Sequence, residues 1–143
     1  MTRIDFYFNV SNKTLALVDL VESAVIKRRL VTICVADESS AAAVSMNLWQ
    51  QKPMSFLPNV AANHAAAAVT PVVIHWPEMA LQNDELLINL RLEQPSFFSR
   101  FTHLIELVGE DEQDKIAARA RFKFYRDRGY EIKSINYAQN RFL

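Results

Sequence analysis

Five short apolar runs, Ile4–Val10, Leu30–Ala36, Val72–His75, Leu86–Leu90 and Leu104–Val108, most constrain what this chain can fold into. They are rich in aromatic, β-branched and leucine residues and hardly alternate with polar ones, the pattern of strands covered on both faces. Between them lie helical signals. Leu15, Val18, Val21 and Val25 recur at helical spacing within Lys13–Arg29, with Ser11 or Asn12 as a cap and Lys27, Arg28 and Arg29 complementing the C-terminal end. Asp37–Gln50 is alanine-rich, carries Ser39 or Ser40 near its start, and ends before Pro53. A third helix is expected from about Glu110 to Arg128, stopped by Gly129, followed by a last short strand at Ile132–Ile135. Met54–Pro58 reads as a short extended piece, and the alanine tract Ala61–Ala68 has no definite conformation. Strands alternating with helices, each strand apolar throughout, predict an α/β layered fold with a largely parallel sheet.

At 143 residues, half of them apolar, the chain can bury one core and is too short for two ordinary domains, so residues 1–143 are read as a single domain. Two glycines and five prolines, without low-complexity segments, argue against a flexible linker or a disordered tail. Formal charge balances at zero, so the overall field does not favour nucleic acid or a membrane. No run reaches transmembrane length, and Met1–Val10 lacks the apolar core of a secretion signal. Cys34 is the only cysteine, which rules out an internal disulfide and fits a reducing compartment. A soluble, cytoplasmic protein is expected.

The charge that matters is local. Glu106, Glu110, Asp111, Glu112 and Asp114 precede six cations between Lys115 and Arg128, an order that complements the helix dipole. A solvated, well-capped helix explains that much. At roughly 100° per residue, however, Lys115, Arg119, Phe122, Lys123 and Arg126 project within one arc about 100° wide. Ile116, Ala117, Ala120 and Phe124 project on the other side and are expected to bury against the core. An aromatic standing among cations suits a ligand that is acidic and apolar at once.

Other chemistries find little support. The turn after the first strand, Asn9-Val10-Ser11-Asn12-Lys13-Thr14, has no glycine to let backbone amides approach a pyrophosphate, and neither Gly109 nor Gly129 belongs to a phosphate-cradling loop. His64, His75 and His103 lack metal-ligand spacing, so no metal is expected. Cys34 sits in the middle of an apolar strand, the setting of an inert thiol, and the Asp37-Glu38 and Asp84-Glu85 pairs lie where caps and turns explain them. No catalytic constellation and no cofactor site emerge. The block Leu48–Pro58 stays open between two readings: Trp49 and Phe56 beside Pro53 and Pro58 can cap a core, or they can anchor a protein interface.

Taken in order, these blocks resemble the chi subunit of bacterial DNA polymerase III. The resemblance runs over nearly the whole chain: Phe6-Tyr7; Leu48-Trp49 with Pro53 and Ser55-Phe56-Leu57-Pro58; Pro71-Val72-Val73-Ile74-His75-Trp76-Pro77; and Leu87-Ile88-Asn89-Leu90. It continues through Phe101, Glu106-Leu107-Val108, Ala118–Arg126 and Gly129-Tyr130. It implies a Rossmann-like single domain without a nucleotide-binding glycine loop, acting as a non-enzymatic adaptor in the clamp-loader complex. Its implied partners are the acidic, phenylalanine-terminated tail of single-stranded-DNA-binding protein and the psi subunit, the latter as a heterodimer. Carried over by position, Lys115, Arg119, Phe122 and Lys123, with Val108 at the pocket edge, would take the tail, and Arg126 joins them on the arc. The psi-facing surface would comprise Trp49, Pro53, Phe56 and Pro58. Within the resemblance, Phe122 stands where a tyrosine can occur in the family, Asn59 follows Pro58 where the family can show histidine, and Ala61–Ala68 replaces a more glycine-containing loop. Nucleic acid would then be reached mainly indirectly. Two other readings compete: direct binding of single strands by the basic helix 115–128, and a nucleotide-dependent enzyme with a diverged loop.

Overall fold

The structure is a computed structural model that describes residues 1–50, 59–67 and 70–138. Seven strands, β1 (Arg3–Val10), β2 (Val31–Cys34), β3 (Asn59–Ala61), β4 (Val72–His75), β5 (Leu86–Asn89), β6 (His103–Gly109) and β7 (Ile132–Asn136), form one sheet in the order β3-β4-β2-β5-β6-β1-β7. All neighbouring pairs are parallel, a stricter arrangement than the largely parallel sheet expected. Among the described residues three helices cover it: α1 (Lys13–Ile26), α2 (Glu38–Gln50) and α3 (Glu112–Asp127), with a short 3₁₀ turn at Phe98–Arg100.

Alternation along the strands divides the core into two layers. Val31, Ile33, Val72, Ile74, Leu86, Ile88, Ile105 and Leu107 face α1 and α2. Ile4, Phe6, Cys34, Leu87, Leu104 and Val108 face α3 and the 3₁₀ turn, where Phe98, Phe101 and Tyr125 complete the second layer. Cys34 is fully buried there, and burial pushes its thiol up to about 11, as its inert setting in the sequence implied.

The helices begin and end for local reasons. Asn12 caps α1 through Leu15 N–H at 3.1 Å, Asp37 caps α2 through Ser40 N–H at 2.8 Å, the capping role expected of its carboxylate, and Asp111 caps α3 through Asp114 N–H at 2.7 Å. Helix α1 stops at Ile26, short of the expected Arg29, because Arg28 adopts φ 58° and Arg29 N–H turns back to Ala24 O at 2.9 Å. Its buried stripe is Ala16, Leu17, Val18, Leu20, Val21 and Ala24, while Leu15 stays partly in water. Gly129, at φ 83°, ends α3 as expected, with Tyr130 N–H bonded to Tyr125 O. Asn59–Ala61 is a strand and 62–67 a series of turns, giving part of the alanine tract a conformation the sequence left open. The extended piece expected at Met54–Pro58 lies outside the described residues.

One expectation about α3 is corrected. The face it buries is Asp114, Ala118, Arg121 and Tyr125, whereas Ile116 and Ala120 are exposed and Ala117 and Phe124 half-buried. Two of the four buried residues are charged, so a search for apolar periodicity rotates the helix away from its true orientation. Beneath it, Glu106 is wholly buried: it pairs with Arg121 Nε at 2.9 Å and accepts from Tyr125 Oη at 2.6 Å and Asn89 Nδ2 at 3.1 Å. Arg121 Nη1 donates further to Leu92 O at 2.6 Å, tying the loop after β5 to the helix. Burial raises the Glu106 carboxyl above its usual range, and the Arg121 charge and the three sets of donors oppose that rise.

Asp114 fastens the start of α3. Its Oδ2 accepts from Gly109 N–H at 2.6 Å and pairs with Lys13 Nζ at 2.7 Å. Burial pushes its carboxyl up, but the Lys13 hydrogen bond, the Gly109 amide and the Lys13 and Arg121 charges outweigh that and lower it. Asp5 is lowered too: burial raises it and the His103 contact at 2.7 Å, with Arg3 and Lys133, overcomes the rise. Groups depressed in the folded state contribute stability that is complete above their unfolded value and is lost as pH falls through the folded one. Stability should therefore decline with acid below about pH 4. Lys13→Ala should cost about 1 kcal/mol at pH 7, with a smaller difference at pH 3, as read from urea unfolding at the two values.

Candidate peptide-binding groove

The connection after β1 leaves through α1 towards β2, and that after β6 leaves through α3 towards β7 on the other side. The crevice between the carboxyl ends of β1 and β6 is therefore the switch point where doubly wound sheets bind phosphates. Here that place is taken by the chain itself, since the Asp114 carboxylate holds both the Gly109 amide and the Lys13 ammonium. A Cβ on Gly109 would stand 3.1 Å from Asp114 Oδ2, so any other residue here would have to push that carboxylate back by a few tenths of an ångström. Glu110 and Asp111 line the same crevice and add negative charge. An incoming phosphate would meet carboxylates at the position where other proteins of this architecture offer free amides.

A second depression of about 470 Å³ runs beside it, between α3 and the β1–β7 edge. Phe6 forms its floor, with the Phe122 ring set edge-on at 5.3 Å, and Val108, Ala118 and Phe8 make the apolar walls. Lys115 and Arg119 stand on the rim, and none of the described lining residues is acidic. The strand geometry explains how Phe8 comes to line it. Ile4, Phe6 and Phe8 share one face by alternation, but Asn9 adopts φ 59° and the pairing with β6 slips between Tyr7 and Val10. This bulge sends Val10 back to the α1 side and leaves Phe8 37% exposed at the mouth of the groove.

Among the residues singled out from the sequence, Val108, Lys115, Arg119 and Phe122 come together in this groove. Lys123 and Arg126 are exposed on α3 but do not line it; Arg126 lies a turn beyond, 3.5 Å from Asp127 Oδ1. Phe122 is half-buried, not standing free among the cations. Phe6, Phe8, Asn9, Gly109, Ala118 and Ser134 complete the lining, and none of them stood among the site residues expected from the sequence. The phase of Ile4, Phe6 and Phe8 was visible in the sequence, but the pairing of β1 with β7 across more than 120 residues was not. Trp49, 40% exposed at the end of α2, lies across the sheet from the groove, because α2 packs with α1 on the opposite layer. Pro53, Phe56 and Pro58 lie outside the described residues.

The histidines are structural. His75 Nε2 contacts Met79 O at 2.9 Å, His64 Nδ1 accepts from Ala66 N–H at 2.9 Å, and His103 bridges Asp5 and two arginines. Among the described residues no cluster of His, Cys, Asp or Glu could hold a metal, and no helix is long and apolar enough to cross a membrane.

A family model described as DNA polymerase III chi subunit, HolC, matches residues 1–133. The chain is similar to a Pseudomonas aeruginosa protein named DNA polymerase III subunit chi, 35% identical over 137 residues and covering 93% of this chain and 95% of that one. A Haemophilus influenzae protein of the same name is 34% identical over 136 residues, covering 92% and 94%. Among solved structures, the C-terminal domain of the DEAD-box protein Dbp5 superposes with a TM-score of 0.61 at 12% identity, covering 96% of this chain and 90% of that one. At that identity the likeness concerns the fold alone.

Proposed function

The chain belongs to the DNA polymerase III chi subunit family, and from that membership we propose that its α3 groove receives the acidic, phenylalanine-ended tail of single-stranded-DNA-binding protein. Its role in replication is that of an accessory, non-catalytic subunit of the polymerase. The observation that carries the tail assignment is the groove's division of labour: an aromatic floor of Phe6 and Phe122 under a rim of Lys115 and Arg119, without a carboxylate among the described lining residues. A terminal phenylalanine ring fits the floor, and its carboxylate and the acidic residues before it fit the rim. Lys123 and Arg126 act further out, on the acidic stretch, where their contribution is screened by salt. In the same reading Trp49, on the layer opposite the groove, belongs to a psi-facing surface with Pro53, Phe56 and Pro58, and a partner held at Trp49 leaves the groove free to bind the tail at the same time in the cytoplasm.

The test is fluorescence anisotropy with a labelled acidic peptide ending in phenylalanine. Wild type should bind saturably with modest affinity that falls as salt rises. Arg119→Glu should weaken binding at least tenfold, about 1.4 kcal/mol, and a peptide lacking the final phenylalanine should lose a similar amount. Lys123→Ala should cost less than Arg119→Ala. Binding that is indifferent to the terminal phenylalanine would sink this assignment. The competing reading, direct single-strand binding by α3, predicts instead a steep salt dependence on bare oligonucleotide.

A further inference from the structure

Helix α3 has a third face that the groove does not use and that the core meets only through Phe124, whose ring lies 6.1 Å from that of Phe98. Ile116, Ala120 and Phe124 form a ridge at intervals of four residues, and this is the apolar flank that periodicity alone would have buried. Ile116 is 60% exposed, Ala120 is exposed and Phe124 only half-buried. Leu92, whose carbonyl accepts from Arg121 beneath the helix, adds a side chain 53% exposed. The same four-residue spacing places Glu112 before the ridge and Arg128 after it, both exposed. The Arg128 guanidinium lies 3.5 Å over the Phe124 ring, which holds its charge at the end of the apolar surface.

Acid, isoleucine, alanine, phenylalanine and base in that order read the same way when the helix is turned end for end, with charges exchanged. We propose that this ridge is a self-association surface on which a second copy of the chain packs α3 against α3, antiparallel, about a two-fold axis at Ala120. Ridges of this spacing interdigitate readily between helices, and a small residue at the crossing lets the axes approach. Two-fold symmetry sets Ile116 against the partner's Phe124 and Glu112 against the partner's Arg128, each contact occurring twice. Ala120 and Phe124 lie roughly 100° or more around the helix from Lys115, Arg119 and Phe122, and Ile116 about 60° from Arg119, so a contact centred on Ala120 leaves both grooves facing away from it. One helix crossing with Leu92 at its side buries less than a standard interface, so the dimer is weak, half-formed at about 10⁻⁵–10⁻⁴ M.

Sedimentation velocity on the full chain over a concentration series tests this. Wild type should move from monomer to dimer across that range, and Ala120→Arg should raise the dissociation constant at least tenfold without changing the circular dichroism spectrum. Glu112→Arg and Arg128→Glu should each weaken association alone, whereas an equimolar mixture of the two variants should recover it, since only the mixed pair restores both charge contacts. A chain that stays monomeric to about 1 mM, as it would if the ridge served a different partner, overturns the proposal. So does a dimer indifferent to Ala120→Arg, or a mixture that recovers nothing.

Discussion

Arg121→Ala should be the most damaging single truncation on α3, lowering stability by about 3–5 kcal/mol in urea unfolding at pH 7. The guanidinium is 2% exposed as a side chain and the Glu106 carboxylate it serves is not exposed at all. Removing it leaves that carboxyl with donors from Tyr125 and Asn89 but without a compensating charge, and frees the Leu92 carbonyl as well. The pH dependence identifies the cause. Glu106 already lies above its ordinary range through burial, and losing the positive charge raises it further. A carboxyl raised in the folded state binds its proton more tightly there than in the unfolded chain, so stability falls as pH rises towards the folded value. The deficit of Arg121→Ala should accordingly be larger at pH 8 than at pH 5. Glu106→Gln strands the buried Arg121 charge in turn and should cost a similar amount, but its deficit should not grow between pH 5 and pH 8, since no carboxyl is left there to titrate; a deficit that grew as it does in Arg121→Ala would show that Glu106 is not the source of the pH dependence.

Phe6→Ala joins stability to binding. The ring is 4% exposed and meets Phe122 edge-on at 5.3 Å and Tyr125 at 6.0 Å, so its loss opens a cavity in the second layer worth about 3–5 kcal/mol. It also removes the floor of the groove. Phe6→Leu, closer in volume, should cost less than about 1.5 kcal/mol and stay folded at 25 °C. If the groove takes an aromatic terminus, Phe6→Leu should still weaken the acidic peptide several-fold, while Phe124→Leu, on the opposite flank of α3, should leave peptide affinity unchanged. Equal effects from both would move the peptide away from the groove.

Much of the layered fold could be read directly. Apolar runs without alternation meant strands covered twice, and the sheet is parallel throughout because every connection between neighbouring directions crosses over one of its faces. Caps were legible to within a residue at Asn12 and at Gly129, since each acts on backbone groups three to five positions away. The rim of the groove was legible for the same reason: Lys115, Arg119 and Phe122 lie on a single helix, and helical spacing alone puts them together.

The rotation of α3 about its axis was not legible. Counting apolar residues would have buried Ile116 and Ala120, but the helix instead buries Asp114 and Arg121, because Lys13, Gly109 and Glu106 wait for them from elements tens of residues away. A buried charge is stable only beside its partner, and no local pattern reveals where that partner stands. The same holds for Phe6 and Phe8, which became groove walls only when β7 docked beside β1 and the Asn9 bulge turned the strand. What the sequence determined by itself was everything set by neighbours along the chain: strands, helices, caps and the residues of one helical arc. What only the tertiary structure decided was which face of α3 meets the sheet, and hence where the groove lies and which apolar ridge is left uncovered, because pairing of buried charges across distant elements outweighs the small gain from burying an isoleucine and an alanine.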